Sequence, residues 1–210
     1  MGDKAISIEK RNPEIELESD EIFGIITPTY WWELPPIVRE WLKRLEVTGC
    51  GYSFLVATYG TTPGCCGEDA RRILKKRGVK LSASFSVKMP DTWTPIFDLS
   101  DPDEVAKINE DAERYIDSVI EQIREKWNGN HTEKRAPYVL RLFSDPLLNM
   151  ERKTRNFYVE DSCIGCGLCE RKCPMQAIKL QDKKSVWVKD QCMWRLWCCC
   201  KDRSPREALF

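Results

Sequence analysis

The sequence predicts an α/β protein, with a parallel sheet in its first part and a small, cysteine-rich α+β domain in its second. Apolar runs alternate with amphipathic helical segments over the first 127 residues, a pattern typical of parallel sheets covered by helices on both faces. Eight of the eleven cysteines fall after residue 162. We therefore expect an α/β domain at 1–127, a linker at 128–156 and a cysteine-rich domain at 157–210.

Four strands are predicted in the first domain. Residues 5–9 are a short candidate, and residues 80–89 are a strong one. The runs at 21–28 and 51–60 are almost continuously apolar, which predicts strands buried on both faces.

Three helices follow from apolar periodicity and capping residues. Residues 35–45 begin with proline and carry one apolar stripe. Residues 67–78 are the second predicted helix, with Gly78 as the glycine that usually stands just past a helix end. Residues 100–127 repeat apolar side chains at three- and four-residue steps, with Asp101 as the expected N-cap and Asn128-Gly129 as the stop.

Composition excludes several classes of protein. Acidic and basic residues balance at 33 each, so nothing favours binding to nucleic acid or to an anionic membrane. No apolar run approaches the roughly 20 residues that span a bilayer, and the first ten residues lack the apolar segment of a signal peptide. We predict a cytoplasmic protein, in which clustered cysteines bind metal more often than they form disulfides.

The predicted linker is basic and irregular. Its charge is typical of solvated surface, although it could also recruit an acidic partner protein. His131, the single histidine, lies here and is expected to be exposed to solvent.

Four cysteines follow the spacing C-x2-C-x2-C-x3-C-P, which is the bacterial ferredoxin pattern for a cubane [4Fe–4S] cluster. They are Cys163, Cys166, Cys169 and Cys173, and Pro174 comes next. Glycines between the cysteines let the backbone curl, so that three thiolates reach three irons of one cube. Zinc is the alternative, but zinc sites favour pairs of cysteines separated by a longer spacer.

The last nineteen residues repeat this motif imperfectly. FYVEDSC at 157–163 is echoed by VWVKDQC at 186–192, and CPMQAI at 173–178 by SPREAL at 204–209. An internal repeat predicts two packed halves related by a pseudo-twofold axis. The remaining candidate ligands are Cys192, Cys198, Cys199 and Cys200. The positions expected for the remaining ligands of this second copy can be counted forward from Cys192 or back from Pro205. The two counts disagree by two residues. An insertion therefore interrupts the second loop, and either one cube or two could form.

Together the segments GIITPTYWWELPPIVREWLKRL, ATYGTTPG and SFSVKMPDTWTPIFDL and the cysteine motif resemble the flavodoxin–ferredoxin fusion proteins of anaerobic bacteria and archaea. The resemblance implies a flavodoxin-like sheet, truncated at its N-terminus, followed by a two-cluster ferredoxin domain. It also implies FMN at two loops that follow neighbouring strands. The residues concerned are Thr27, Pro28, Thr29, Tyr30 and Trp31 in one loop, and Thr58, Tyr59, Gly60 and Thr61 in the other. The strand, phosphate loop and helix that open the family pattern are missing from this sequence, so we expect FMN binding to be weak or absent, or the sequence to be truncated.

These features favour an electron-transfer protein that carries one or two [4Fe–4S] clusters, exchanges electrons with redox partner proteins and possesses no substrate chemistry of its own. A flavin reductase that acts on a small organic acceptor is the enzymatic alternative, and a zinc-bound scaffold is the non-redox one. The sequence shows no set of catalytic acid and base residues and leaves the oligomeric state open.

Overall fold

Strands and helices alternate through the first 131 residues. In chain order the elements are β1 (Glu14–Glu16), β2 (Ile22–Pro28), α1 (Pro36–Arg44), β3 (Glu46–Thr48), β4 (Tyr52–Tyr59), α2 (Cys66–Lys76), β5 (Ala83–Lys88), α3 (Pro102–Arg124) and β6 (Gly129–His131). The main sheet has the order β2-β4-β5-β6 with every pair parallel, and β1 pairs in parallel with β3. The predicted α/β class with parallel strands is confirmed.

The computed structural model describes residues 5–8, 12–91, 97–133, 146, 149–150, 152–155, 157–159, 161, 163–173, 175–190 and 192. The chain divides into two units, one formed by 1–92 and 97–144 and the other by 93–96 and 145–210. Within the described residues, no helix combines the length and the apolar character that crossing a membrane requires.

Helices cover both faces of the main sheet. Side chains alternate along each strand, so Leu55 and Ala57 lie on one face and Val56 on the other. The first face packs in one core cluster with α1 and α2, through residues such as Leu42 and Leu74. The second face packs in another cluster with α3, through Ala112 and Val119. Asp101 caps α3 as predicted, because its carboxylate accepts the backbone N–H groups of Asp103 and Glu104.

β2 is buried on one face only, so the prediction of burial on both faces is wrong for this strand. Phe23 and Ile25 are buried, whereas Ile22 is partly exposed and the Ile26 side chain is 73% exposed. β2 is the edge strand of the sheet, and the α3 cluster covers β4 and β5 instead. In β4, by contrast, no residue is exposed, as predicted.

Two further expectations differ from the structure. Residues 5–8 form no strand, and residue 9 lies outside the described residues; the first strand is β1. The segment expected as a linker contributes β6, which pairs with β5. His131 is therefore half-buried rather than solvent-exposed, and its ring stacks on Phe85 with centroids 5.2 Å apart. Helix α3 ends at Arg124, before the predicted stop at Asn128.

The second unit is built on a short helix and a hairpin. Helix α4 (Leu168–Lys172) precedes β7 (Ile178–Gln181) and β8 (Lys184–Trp187), which pair antiparallel across a two-residue turn. Its buried cluster contains Cys173, Ala177 and Ile178, with Cys169, Met175 and Trp187 packed against it. Two cysteines of the motif thus lie at the only core cluster found in the described part of this unit.

Candidate metal centre

Two glycines set the path of the loop that carries the first three cysteines. Gly165 and Gly167 have φ angles of +66° and +69°, in the left-handed region that other residues enter at a cost. A Cβ atom at Gly165 would lie 2.4 Å from the carbonyl oxygen of Lys183, which no side chain tolerates. The loop can therefore curl against the hairpin turn only with glycine at this position.

The thiols of the motif have different surroundings. Cys173 is buried and its Sγ accepts the backbone N–H of Ala177 at 3.3 Å. Cys169 is half-buried, with its Sγ 2.8 Å from the hydroxyl oxygen of Ser185 on β8. Cys163 is half-buried and Cys166 is exposed. Two of the four sulfur atoms are thus hydrogen-bonded within the unit, one to a backbone N–H and one to a hydroxyl.

Glu170 ties the short helix to the hairpin. Its carboxylate accepts the backbone N–H of Leu180 at 2.9 Å and the ammonium of Lys179 at 3.0 Å. The bond from Lys179, together with that from Leu180, holds the pKa of the Glu170 carboxyl below its usual range. Arg171 on the same helix donates to the carbonyl oxygen of Cys166 at 3.0 Å. These contacts fix α4 against both the cysteine loop and β7.

The described part of the tail places one further cysteine in this unit. Cys192 is half-buried, and its backbone N–H donates to the carbonyl oxygen of Arg152. Asp190 accepts the backbone N–H and the hydroxyl of Thr154, and the backbone bond is the larger of the causes that lower the pKa of this carboxyl. Cys198, Cys199 and Cys200 lie outside the described residues, as do Pro174 and the rest of the tail.

Residues 157–179 match a protein family described as 4Fe-4S binding domain. The match indicates an iron–sulfur, ferredoxin-like domain in the second unit and supports a role in electron transfer. No curated protein and no solved structure matches the chain. The family match covers no residue of the first unit, so the flavodoxin part of the resemblance stays a prediction.

The residues present fit a cluster of iron and sulfide. The indole N–H of Trp187 is buried without a hydrogen-bond partner among the described residues, and its side chain packs against the cluster that contains Cys173. A buried donor without an acceptor is costly, and inorganic sulfide is an acceptor that a cubane would bring. No three of the described Cys, His, Asp and Glu side chains are gathered as ligands of one metal ion. In a cubane each cysteine thiolate binds a different iron.

Four of the nine residues predicted to hold FMN, Thr27, Pro28, Thr58 and Tyr59, lie at the ends of strands β2 and β4 rather than in loops, and these two strand ends are paired. β2 and β4 are neighbours in register, with Pro28 beside Thr58, and the Thr29 N–H donates to the Thr58 carbonyl oxygen at 2.8 Å. Of the nine residues, Thr27 and Tyr59 are buried and the other seven are at least partly accessible. The Tyr59 hydroxyl donates to Glu133 at 2.7 Å; burial, more than this bond, raises the pKa of the hydroxyl.

An acidic side chain from the segment that follows β5 lies against the second of these loops. A Cβ atom at Gly60 would lie 2.2 Å from the Asp91 carboxylate, and the Thr61 hydroxyl is 3.4 Å from it. The loop is thus closed against Asp91, which sequence patterns did not single out. Nearby, the Cys66 thiol lies 3.4 Å from the Thr29 hydroxyl and is fully buried. Burial raises the pKa of the Cys66 thiol to about 12, so this cysteine is a neutral packing residue.

Sequence reasoning predicted the cysteines as ligands, which stays a prediction, and did not single out the polar residues around them. Ser185 contacts the Cys169 sulfur and Arg171 the Cys166 backbone, while Glu170 bonds the short helix to Leu180 of the hairpin. The signal that could have located them is the two-residue turn at 182–183, because it fixes which side of β8 faces the loop.

Proposed function

We propose that the chain is an electron-transfer protein whose [4Fe–4S] cluster is bound by Cys163, Cys166, Cys169 and a fourth thiolate. The observation that carries the proposal is the C-x2-C-x2-C-x3-C spacing inside a segment that matches the 4Fe-4S binding family. A bound cubane supplies one-electron redox chemistry. The chain positions the thiolates through Gly165 and Gly167 and buries one side of the site with Cys173 and Trp187.

The fourth ligand distinguishes a one-cluster from a two-cluster protein. In the two-cluster pattern Cys173 serves a second cube with Cys192 and Cys198, and Cys199 or Cys200 completes the first. In the one-cluster form, the thiols that bind no iron stay free beside the cube. The Ala177 N–H donates to the Cys173 sulfur, and hydrogen bonds to the ligand sulfurs are common in iron–sulfur sites, which supports Cys173 as a ligand in either form.

The deciding experiment counts iron and acid-labile sulfide in protein purified without oxygen. About four of each per chain indicates one cube, and about eight of each indicates two. Reduction should give the paramagnetic signal of a [4Fe–4S] centre. Zinc without sulfide would reject the proposal in favour of the scaffold alternative.

Cysteine variants test the ligand assignment. Cys166→Ser should lose most of the bound iron, because a serine oxygen is a poorer ligand for this cluster than a thiolate. Cys50→Ser is the matched control, since Cys50 is a free cysteine of the first unit whose thiol donates to the Tyr52 carbonyl oxygen. Equal iron contents in the two variants would rule out Cys166 as a ligand.

FMN binding is the second part of the proposal, and the adjacency of the two loops after β2 and β4 supports it. Titration of the purified chain with FMN, followed by quenching of flavin fluorescence, tests it directly. Gly60→Leu should abolish any quenching, because the added side chain would crowd Asp91 at the loop. If FMN binds, turnover of a quinone with reduced ferredoxin would favour the flavin reductase over a carrier. If no quenching occurs, the proposal reduces to a protein that carries a cluster and binds no FMN.

A further inference from the structure

The two units carry opposite charge although the chain is neutral. Residues 145–210 contain thirteen lysines and arginines and nine aspartates and glutamates. Residues 1–144 contain twenty basic and twenty-four acidic residues. The second unit is therefore the basic one. Charge of one sign on a binding unit raises the rate at which partners of the opposite sign associate with it.

Basic residues meet an exposed apolar side chain at the cysteine loop. Ile164, between the first two cysteines, is 86% exposed. The hairpin turn touches the next residue, Gly165, through the Lys183 backbone, and the exposed Arg171 donates to the Cys166 carbonyl oxygen. We name this surface the loop face and define it by Ile164, Cys166, Arg171 and Lys183. An apolar centre with a charged rim is typical of protein–protein interfaces, whereas phosphate binding needs no apolar centre.

Acidic groups near the loop face leave its positive charge in place. Glu170 is engaged by Lys179 and by the Leu180 N–H. Asp182 precedes Lys183 in the turn, and the exposed Lys184 follows it. Asp161 is the other acidic residue of the loop region that the structure describes. At the turn and along helix α4, four basic side chains (Arg171, Lys172, Lys183 and Lys184) therefore outnumber the acidic Asp161 and Asp182.

Lys183 occupies a backbone position that favours glycine. Asp182 and Lys183 have φ angles of +49° and +61°, as in a type I′ turn, whose second residue is usually glycine. A lysine in this conformation destabilises the turn relative to glycine. Residues held in unfavourable conformations are frequent at functional sites. The turn alone gives no reason for a lysine, whereas a positive charge at the loop face does.

We propose that an acidic electron-carrier protein docks on the loop face, with Ile164 as its apolar contact and Arg171 and Lys183 as its charge contacts. The inference rests on the proposed electron-transfer function and adds the class of partner. One electron passes between the reduced partner and the oxidised cluster, or in reverse, and no bond or proton changes place. Cys166, the exposed cysteine of the motif, lies within this face.

The test uses the full chain purified without oxygen and an acidic flavodoxin as the probe. Association is measured by surface plasmon resonance at low and at high ionic strength. We expect binding that weakens with salt and an association rate about threefold lower in Lys183→Gly. The same substitution should raise the melting temperature of the second unit by about 4 °C, because it relieves the turn. A gain in stability combined with a loss in association is not expected of a purely structural residue.

The matched control is Lys189→Gln, which removes a positive charge from the far end of the hairpin. Lys189 lies two residues past the end of β8, about 15 Å or more along the chain from the turn, and its ammonium is near the Met175 carbonyl oxygen. The Lys189→Gln variant should associate with the flavodoxin at the same rate as the unmodified chain. Ile164→Gln should bind at the same rate but dissociate several times faster, because it removes the apolar contact.

Four outcomes would overturn the proposal. The first is that Lys183→Gly and Lys189→Gln associate with the flavodoxin at equal rates, and the second is that the chain binds basic cytochrome c as tightly as it binds the flavodoxin. The third is salt-dependent binding to duplex DNA that requires Lys183. The fourth is self-association of the chain through the loop face, measured by sedimentation. Low-temperature electron paramagnetic resonance of each sample shows whether the cluster is present, and so distinguishes a wrong partner proposal from a wrong electron-transfer proposal. A chain without a cluster would contradict both proposals. A chain that holds a cluster but binds acidic and basic partners equally would contradict only the proposed class of partner.

Discussion

The first unit is stabilised by a large core, whereas the described residues of the second unit form only a small one. Two clusters of the first unit contain twenty-two buried residues, which cover both faces of the main sheet. The cluster found among the described residues of the second unit contains three, and one of these is a cysteine of the metal motif. Small domains seldom bury enough apolar surface to be stable alone and often need a metal. The comparison teaches that packing determines the first fold and that ligation completes the second.

The largest expected effect is that of iron removal. Treating the protein with an iron chelator should abolish the cooperative unfolding of the second unit, because metal binding supplies its folding free energy. The unfolding transition of the first unit should remain, since its core contains no ligand. Differential scanning calorimetry measures both transitions, and restoring iron and sulfide should bring the lost one back. A second unit that still unfolds cooperatively without iron would break the comparison.

The next effect is a contrast within one strand. Ile25→Ala should destabilise the first unit by about 3 kcal/mol, because it leaves a cavity in the core below β2. Ile26→Ala, at the neighbouring position, should change the free energy of unfolding by no more than about 0.5 kcal/mol, since its side chain is exposed. Urea denaturation followed by circular dichroism gives both values. Similar losses would mean that another part of the protein covers the outer face of β2.

Many elements of the first unit could be predicted from the sequence. The exposure of one face of β2 and the strand β6 could not. Alternation of strand and helix, the Asp101 cap and the glycine after α2 depend on neighbouring residues, so local patterns located them. The exposure of Ile26 depends on where α3 packs, and no pattern within residues 21–28 contains that information. β6 was missed because a three-residue strand has no periodicity to recognise.

The metal centre shows the same division between local and distant information. The spacing of Cys163, Cys166, Cys169 and Cys173 predicted a [4Fe–4S] cluster, because cluster ligation constrains the separation of cysteines that are close in sequence. The contacts from Ser185 and Trp187 depend on how the hairpin folds back, which the spacing leaves undetermined.

The third effect is a loss of stability at high pH in the first unit. Burial raises the pKa of the Cys66 thiol from an ordinary value of 9.0 to about 12. Below pH 9 the thiol is protonated in both states, so its contribution to stability is constant. Between these values the unfolded chain releases the proton and the folded chain keeps it, so stability falls by about 1.4 kcal/mol per pH unit for this group. Cys66→Ser should flatten the pH dependence of the unfolding free energy; an unchanged slope would contradict the assignment.

The smallest effect tests whether the units respond independently. Asp101→Ala removes the side chain that caps α3 and should lower the stability of the first unit by about 1 kcal/mol. Asp103→Ala is the control, because it removes a carboxylate from the same helical turn while leaving the cap intact. Calorimetry should show a lower first transition in Asp101→Ala alone, with the second transition and the cluster spectrum unchanged in both variants. If the second transition shifted with the first, ligation and packing would be coupled, and the second unit would owe part of its stability to the core of the first.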